Sequence, residues 1–163
     1  MAVGGRQQWK KMRGLTLVEL LVVIAILGIL AAIAVPIYSR YVKDAKYAQA
    51  KNNLVLLSTL MERYYQDNNA YYPTTTNLQP NTPTNPTLPG WTPGNGVLFQ
   101  YNIENPDPGM PGACGIQTPA SPSYLLVATP LASSGLSGQV AFYLDSDNNR
   151  CEVLPNGSAV TGW

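Results

Sequence analysis

Leu15 to Val35 is a run of 21 residues in which only Thr16, Glu19 and Gly28 interrupt strong apolarity. As a helix at about 1.5 Å per residue it spans about 30 Å, the hydrocarbon thickness of one bilayer. A chain with such a run can cross a membrane once, and its remaining parts must lie to either side. Glu19 is the odd residue, because a carboxylate at membrane depth costs on the order of 2.5–3.5 kcal/mol on insertion scales. It needs a cation.

Charge orients the span. Arg6, Lys10, Lys11 and Arg13 precede residue 14 and no acidic residue does, so the amino-terminal end faces the cytoplasm and the carboxyl-terminal part is exported. After Arg63 only Arg150 is basic, against Asp67, Glu104, Asp107, Asp145, Asp147 and Glu152, which leaves no electrostatic footprint for phosphates. Histidine is absent and Cys114 and Cys151 are the only cysteines. Ser-His-Asp and Cys-His nucleophiles and His-ligated metals are thereby excluded, and the chain reads as neither an enzyme nor a cofactor protein.

Three readings compete for the apolar run. An ordinary signal anchor ignores Glu19. A secretory signal peptide uses the small-x-small form of Ala32-Ile33-Ala34, but Glu19 would lie inside its apolar core and Pro36 just past the cut. The third starts from the abrupt boundary at Gly14-Leu15. Gly14-Leu15-Thr16-Leu17-Val18-Glu19-Leu20, followed by VVIAILGILAAIAVP, resembles the amino terminus of type IV prepilins and of the related pseudopilins of type II secretion. The match extends over roughly residues 14–65. It implies a basic leader, residues 1–14, removed by a prepilin peptidase that cuts between Gly14 and Leu15 and methylates the new Leu15 amine. In that family phenylalanine most often follows the cut, so Leu15 is a departure, though one that the family's tolerance of apolar residues accommodates.

Cutting there supplies the cation. The α-amine of Leu15 lies one helical turn from Glu19, so the two share a face within one subunit, and every neighbouring subunit offers another amine. Pairing within a subunit satisfies a lone chain in the bilayer; pairing between subunits holds helix register in a dry filament core. The resemblance favours the second, and both make Glu19 an assembly residue. Pro36 lacks an amide hydrogen and clashes with the Ala32 carbonyl, and Gly28 weakens the same stretch, so a kink or local break is expected. In filaments of the family the corresponding stretch loses helical order, which the resemblance carries onto residues 28–36.

After the hydrophobic assembly segment, 15–36, the pattern turns amphipathic over 37–66, with Ile37, Tyr41, Ala45 and Ala48 and then Leu54, Leu57 and Met61 on the apolar side. The Pro/Thr/Asn-rich stretch 67–96 cannot be a regular element. It is either a loop packed on a sheet or an exposed, variable, O-glycosylated surface. Strand signals follow at 97–103, 123–130, 138–146 and 151–155, within a head comprising 97–163. The expected fold class is α+β: a long amino-terminal helix packed on a small antiparallel sheet of three or four strands, the type IV pilin fold. Runs such as YLLVATP and QVAFYLD, with Trp163, also resemble the carboxyl-terminal half of small pilins whose heads close on a disulfide. Cys114 and Cys151 lie in the exported half, where oxidation is expected; the alternatives are a disulfide or two free thiols. Asp145-Ser146-Asp147-Asn148-Asn149 is loosely like a calcium loop, with Asp145 and Asp147 as candidate metal ligands. It lacks the glycine and distal glutamate of an EF-hand and reads more readily as a tight turn, so no metal is expected.

The resemblance implies a structural subunit of a type IV pilus, serving adhesion, motility or DNA uptake. It would sit in the inner membrane as a single-pass protein with its head periplasmic, then polymerise through its amino-terminal helix into an extracellular filament. Its partners would be further copies, other pilins, the prepilin peptidase, the pilus assembly machinery and the membrane. The alternatives are a type II secretion pseudopilin, which bound calcium would favour, and a minor pilin acting as a DNA-uptake receptor. The acidic head makes nucleic acid an unfavourable partner.

Overall fold

The computed structural model describes residues 16–76, 78, 88–92, 98–115, 122–136 and 138–163. The leader 1–14, both residues of the Gly14–Leu15 junction and much of the stretch 67–96 lie outside the described residues. Two compact units divide the chain, Met1–Tyr41 and Val42–Trp163.

Helix α1 runs from Leu17 to Asn68. It ends where Asn69 takes a left-handed φ of 54° and donates its amide to the Tyr65 carbonyl at 2.8 Å, a one-residue stop that asparagine tolerates better than most side chains. In the first unit every described residue is exposed, including the helix's whole apolar stretch. Gly28 and Pro36, where a kink or local break is expected, both lie inside α1. Proline removes one hydrogen bond and costs about 3 kcal/mol in a helix interior, a local penalty the rest of a long apolar helix can absorb.

In the second unit α1 buries Ala50, Leu54, Leu57 and Met61, a stripe with steps of four, three and four residues. Ala45 and Ala48, expected on the apolar side, are exposed, and Ala50 takes the buried place. Small side chains carry too little apolar area for sequence to say which of them faces a core.

The stripe packs on an antiparallel meander in the order β1-β2-β3-β4-β5: Phe99–Glu104, Leu125–Pro130, Ala141–Asp145, Arg150–Val153 and Ala159–Thr161. Alternation places Phe99, Tyr101 and Ile103 of β1, Leu126 and Ala128 of β2, and Phe142 and Leu144 of β3 in one core with the helix stripe. Each fully buried leucine contributes about 1.5–3 kcal/mol. The opposite face of β2 is buried too, because Leu125 and Val127 pack with Met110, Cys114 and Cys151. A segment containing the 3-10 turn Gly112–Cys114 is tied there by the Cys114–Cys151 disulfide, whose cysteines are 37 residues apart in sequence.

Among the described residues there are five strands where three or four are expected. The extra one, β5, is a three-residue edge strand, too short to show alternation, and it exists through pairing Ala159 with Val153 and Thr161 with Cys151. The other edge is covered: Thr75 exchanges both backbone hydrogen bonds with Ile103, and the Leu78 amide donates to the Tyr101 carbonyl.

Candidate assembly site

At the start of α1 the Thr16 hydroxyl accepts the Glu19 amide at 3.2 Å, and the Thr16 carbonyl accepts the Leu20 amide at 3.2 Å. Thr16 is therefore the N-cap and Glu19 the third helical residue, the spacing of a Thr-x-x-Glu capping box. The carboxylate is placed in the first turn, where the helix macrodipole favours negative charge. Around it the surface is apolar and open, with Leu17 78% exposed, Leu20 57% and Val23 48%. Mean hydropathy reaches 3.1 over eighteen residues of the helix, none of them buried. Among the described residues, one carboxylate and one continuous apolar surface make up this site.

The head is organised around internal polar ties. The Glu62 carboxylate, on α1, accepts the hydroxyls of Tyr71 and Tyr124, each at 3.1 Å. Burial first, then the adjacent Glu62 charge, pushes the Tyr71 phenol up to about 12 and moves Tyr124 further in the same direction. Lys51 pairs with Glu152 at 3.1 Å and lies 5.0 Å from the Phe142 ring centre. Trp163 lies between cations, with the Lys51 ammonium 5.6 Å and the Arg150 guanidinium 5.0 Å from its ring centre, while its indole N–H donates to the Cys151 carbonyl. Lys46 donates to the Ser134 carbonyl at 2.7 Å. Three of the head's bases are thus held by internal partners.

Asp145, a candidate metal ligand, is buried and committed to its own turn. Its Oδ1 accepts the amides of Asp147 and Asn149, and its Oδ2 accepts the Asn149 side chain at 2.7 Å. Asp147, the other candidate, is exposed, and the described residues hold no group of three or more acidic or Cys side chains able to take a metal. The loop is an Asx turn, with Asn148 in the left-handed region at φ 62°.

A family model described as "Prokaryotic N-terminal methylation motif" matches residues 9–35, and one described as "Type IV minor pilin ComP, DNA uptake sequence receptor" matches residues 36–140. The chain belongs to this family and is a type IV pilin. The "Type IV major pilin protein PilA" of Myxococcus xanthus is 42% identical over 59 residues, 36% of this pilin and 27% of the relative. "Fimbrial protein EcpC" of Eikenella corrodens is 46% identical over 55 residues, 34% of this pilin and 36% of the relative. "Type II secretion system core protein G" of Escherichia coli is 38% identical over 79 residues, 48% of this pilin and 54% of the relative. The pilin thus spans between 27% and 54% of these relatives' lengths. No solved structure matches it significantly.

For the pilin, the residues singled out from sequence fall into three sets. Glu19, Gly28 and Pro36 stand on the exposed helix, Cys114 and Cys151 are joined in the head, and Gly14 and Leu15 lie outside the described residues. Two residues escaped notice. Thr16 looked like an interruption of the apolar run, although the Thr-x-x-Glu spacing is itself a legible helix start. Asp107 gave no signal at all. It is 6% exposed, its Oδ1 accepts the Gly109 amide at 2.6 Å, and its Oδ2 has no hydrogen-bond partner among the described residues. Burial, reinforced by the Asp145 and Asp147 charges, pushes its carboxyl up from the usual range.

Proposed function

We propose that this pilin is made as a precursor, cut between Gly14 and Leu15, methylated on Leu15, and stored in the inner membrane before it polymerises through α1 into a surface filament. The observation that carries the reading is the exposed apolar helix with a single carboxylate in its first turn, in a chain whose residues 9–35 match a methylation motif. Helices with that surface are stable in lipid or against each other. The Glu19 carboxylate then pairs with a Leu15 amine across the helix interface, and only one axial stagger satisfies every such pair. In the filament, Gly28 and Pro36 are where α1 loosens.

Intact-mass measurement of fibres sheared from cells tests this. The expected chain begins at methylated Leu15 and is lighter by two hydrogens for the disulfide; a chain beginning at Met1 or Val35 sinks the reading.

A second reading is favoured by the family description over residues 36–140: a minor subunit whose head takes up DNA. The head's charge opposes it, since residues 42–163 hold five bases against eight carboxylates and three of the bases have internal partners. A salt-dependent gel shift with duplex DNA at nanomolar full-length protein would establish it over the first reading. The type II secretion alternative rests on likeness to core protein G over about half of that chain. Calcium-dependent stabilisation of the head would favour it.

A further inference from the structure

Strands β4 and β5 are joined by Leu154-Pro155-Asn156-Gly157-Ser158, of which residues 155–158 are exposed. The Gly157 amide donates to the Leu154 carbonyl at 2.9 Å and the Leu154 amide to the Ser158 carbonyl at 2.8 Å. Gly157 takes a φ of 82°, which suits a residue without Cβ. The Asn156 side-chain oxygen, Oδ1, accepts two hydrogen bonds from one neighbour: the Ser158 amide at 3.0 Å and the Ser158 hydroxyl at 2.7 Å.

Two donors converging on one carbonyl oxygen withdraw electron density from its carbon and stabilise negative charge that develops on the oxygen, the logic of an oxyanion hole. The carbon in question is Asn156 Cγ. The next backbone nitrogen in the chain belongs to Gly157, where no side chain crowds the approach to Cγ. We propose that the β4–β5 turn is a self-modifying site at which Asn156 deamidates through a cyclic imide, with Ser158 as the positioning residue.

The Gly157 nitrogen attacks Cγ and forms the ring N–Cγ bond. The Cγ–Nδ2 bond breaks, and Nδ2 leaves as ammonia carrying the proton lost from Gly157. Water then adds to one of the two imide carbonyls and opens the ring, giving either an ordinary aspartyl or an isoaspartyl linkage, with no change in oxidation state. The Gly157–Leu154 hydrogen bond must open first. It lies at the exposed tip of a hairpin whose second strand is a three-residue edge, the kind of element that opens locally at low cost.

The product differs from the original turn in two ways. It adds a carboxylate to a head already in acidic excess, and the iso form lengthens the main chain by one carbon beside β5. That strand leads into Trp163, whose packing against Lys51, Arg150 and Phe142 closes this side of the head. Residues 156–158 also read Asn-x-Ser, the acceptor pattern for glycosyl transfer to Nδ2. Donation to Oδ1 makes Nδ2 a poorer nucleophile, so the hydrogen bonds favour attack at Cγ over transfer of a sugar.

The test follows full-length protein in detergent at mildly alkaline pH by intact mass and peptide mapping. A gain of about one dalton on the peptide containing Asn156 is expected, with both linkages present. In the folded chain Ser158→Ala slows the gain about fivefold, the rate equivalent of one hydrogen bond, and Ser158→Thr, which keeps a hydroxyl, restores it. In the denatured, reduced chain the three proteins convert at equal rates, which separates the turn's geometry from the local sequence. The proposal is overturned if only the denatured chain converts, if Ser158→Ala leaves the folded rate unchanged, or if the mass gained is that of a sugar.

Discussion

Residues 17–35 and the head 42–163 are both rich in apolar side chains, yet they treat them in opposite ways. Leu17, Leu20 and Ile33 are each more than half exposed, whereas Leu54, Leu57, Leu126 and Phe142 are fully buried. The head satisfies its side chains within one subunit. The first unit leaves them for other molecules, lipid or further copies, and its one carboxylate likewise has no cation among the described residues. One half is built to be finished alone and the other in company.

That contrast is open to direct attack. The largest effect is expected at the first unit's carboxylate: Glu19→Leu should reduce surface filaments by roughly two orders of magnitude, because the charge pairing proposed to select the stagger would be lost. The melting temperature of the head should not change. Equal loss of both, read by shearing yield and thermal unfolding, would mean that the two halves do not divide the work as described.

Opening the disulfide should do the reverse. The Cys114→Ser, Cys151→Ser double variant is expected to lose roughly 4 kcal/mol of head stability in urea unfolding, from the loop closure alone, while membrane insertion of the helix persists.

An intermediate effect is expected from pH. Tyr71 and Tyr124 hold their protons more tightly folded than unfolded, so their contribution to stability is complete below about pH 10 and is lost as pH rises towards about 12, where Tyr71 ionises in the fold. Urea midpoints across that window, with phenolate absorbance, measure it. Glu62→Gln should bring both phenols closer to their ordinary value. Asp107 has the same sign at lower pH, because its folded pKa is raised: its contribution falls as pH rises through its titration.

The smallest effect belongs to Gly28. A Cβ there would meet nothing within 4 Å, so Gly28→Ala is expected to gain about 1 kcal/mol of helix propensity without a clash. If α1 loosens at this stretch in the filament, the same substitution should lower filament yield. An unchanged yield would place the loosening at Pro36 alone.

Much of this was legible in the chain. The apolar run, the basic residues before it and the stripe Leu54, Leu57, Met61 follow from composition and a period that needs only neighbouring residues. Strands β1, β2 and β3 appeared for the same reason, as apolar alternation between turn residues. Ala50 and the three-residue β5 did not, because a small side chain and a short strand carry almost no local signal and are recruited by what lies opposite. At Pro36 the rule about one lost hydrogen bond is local, and α1 runs through this residue in the single chain. Asp145 is instructive in another way: alternate oxygens suit a cation and a turn alike, the turn is the preferred reading, and the Asp147 and Asn149 amides on its carboxylate supply that turn's hydrogen bonds.

Sequence alone determined that one segment is apolar enough to need a membrane or a filament core, that it carries a lone carboxylate, and that the half after Arg63 is acidic, since these depend on which residues are present and how closely they follow one another. Tertiary structure alone decided which bases are already held, that Asp107 is buried with an orphaned oxygen, that Glu62 joins two tyrosines, and that both faces of β2 are covered. These depend on contacts between residues that can lie more than a hundred positions apart, such as Lys51 and Glu152. Local pattern has no means of recording them, because a long-range contact belongs to two stretches of chain at once.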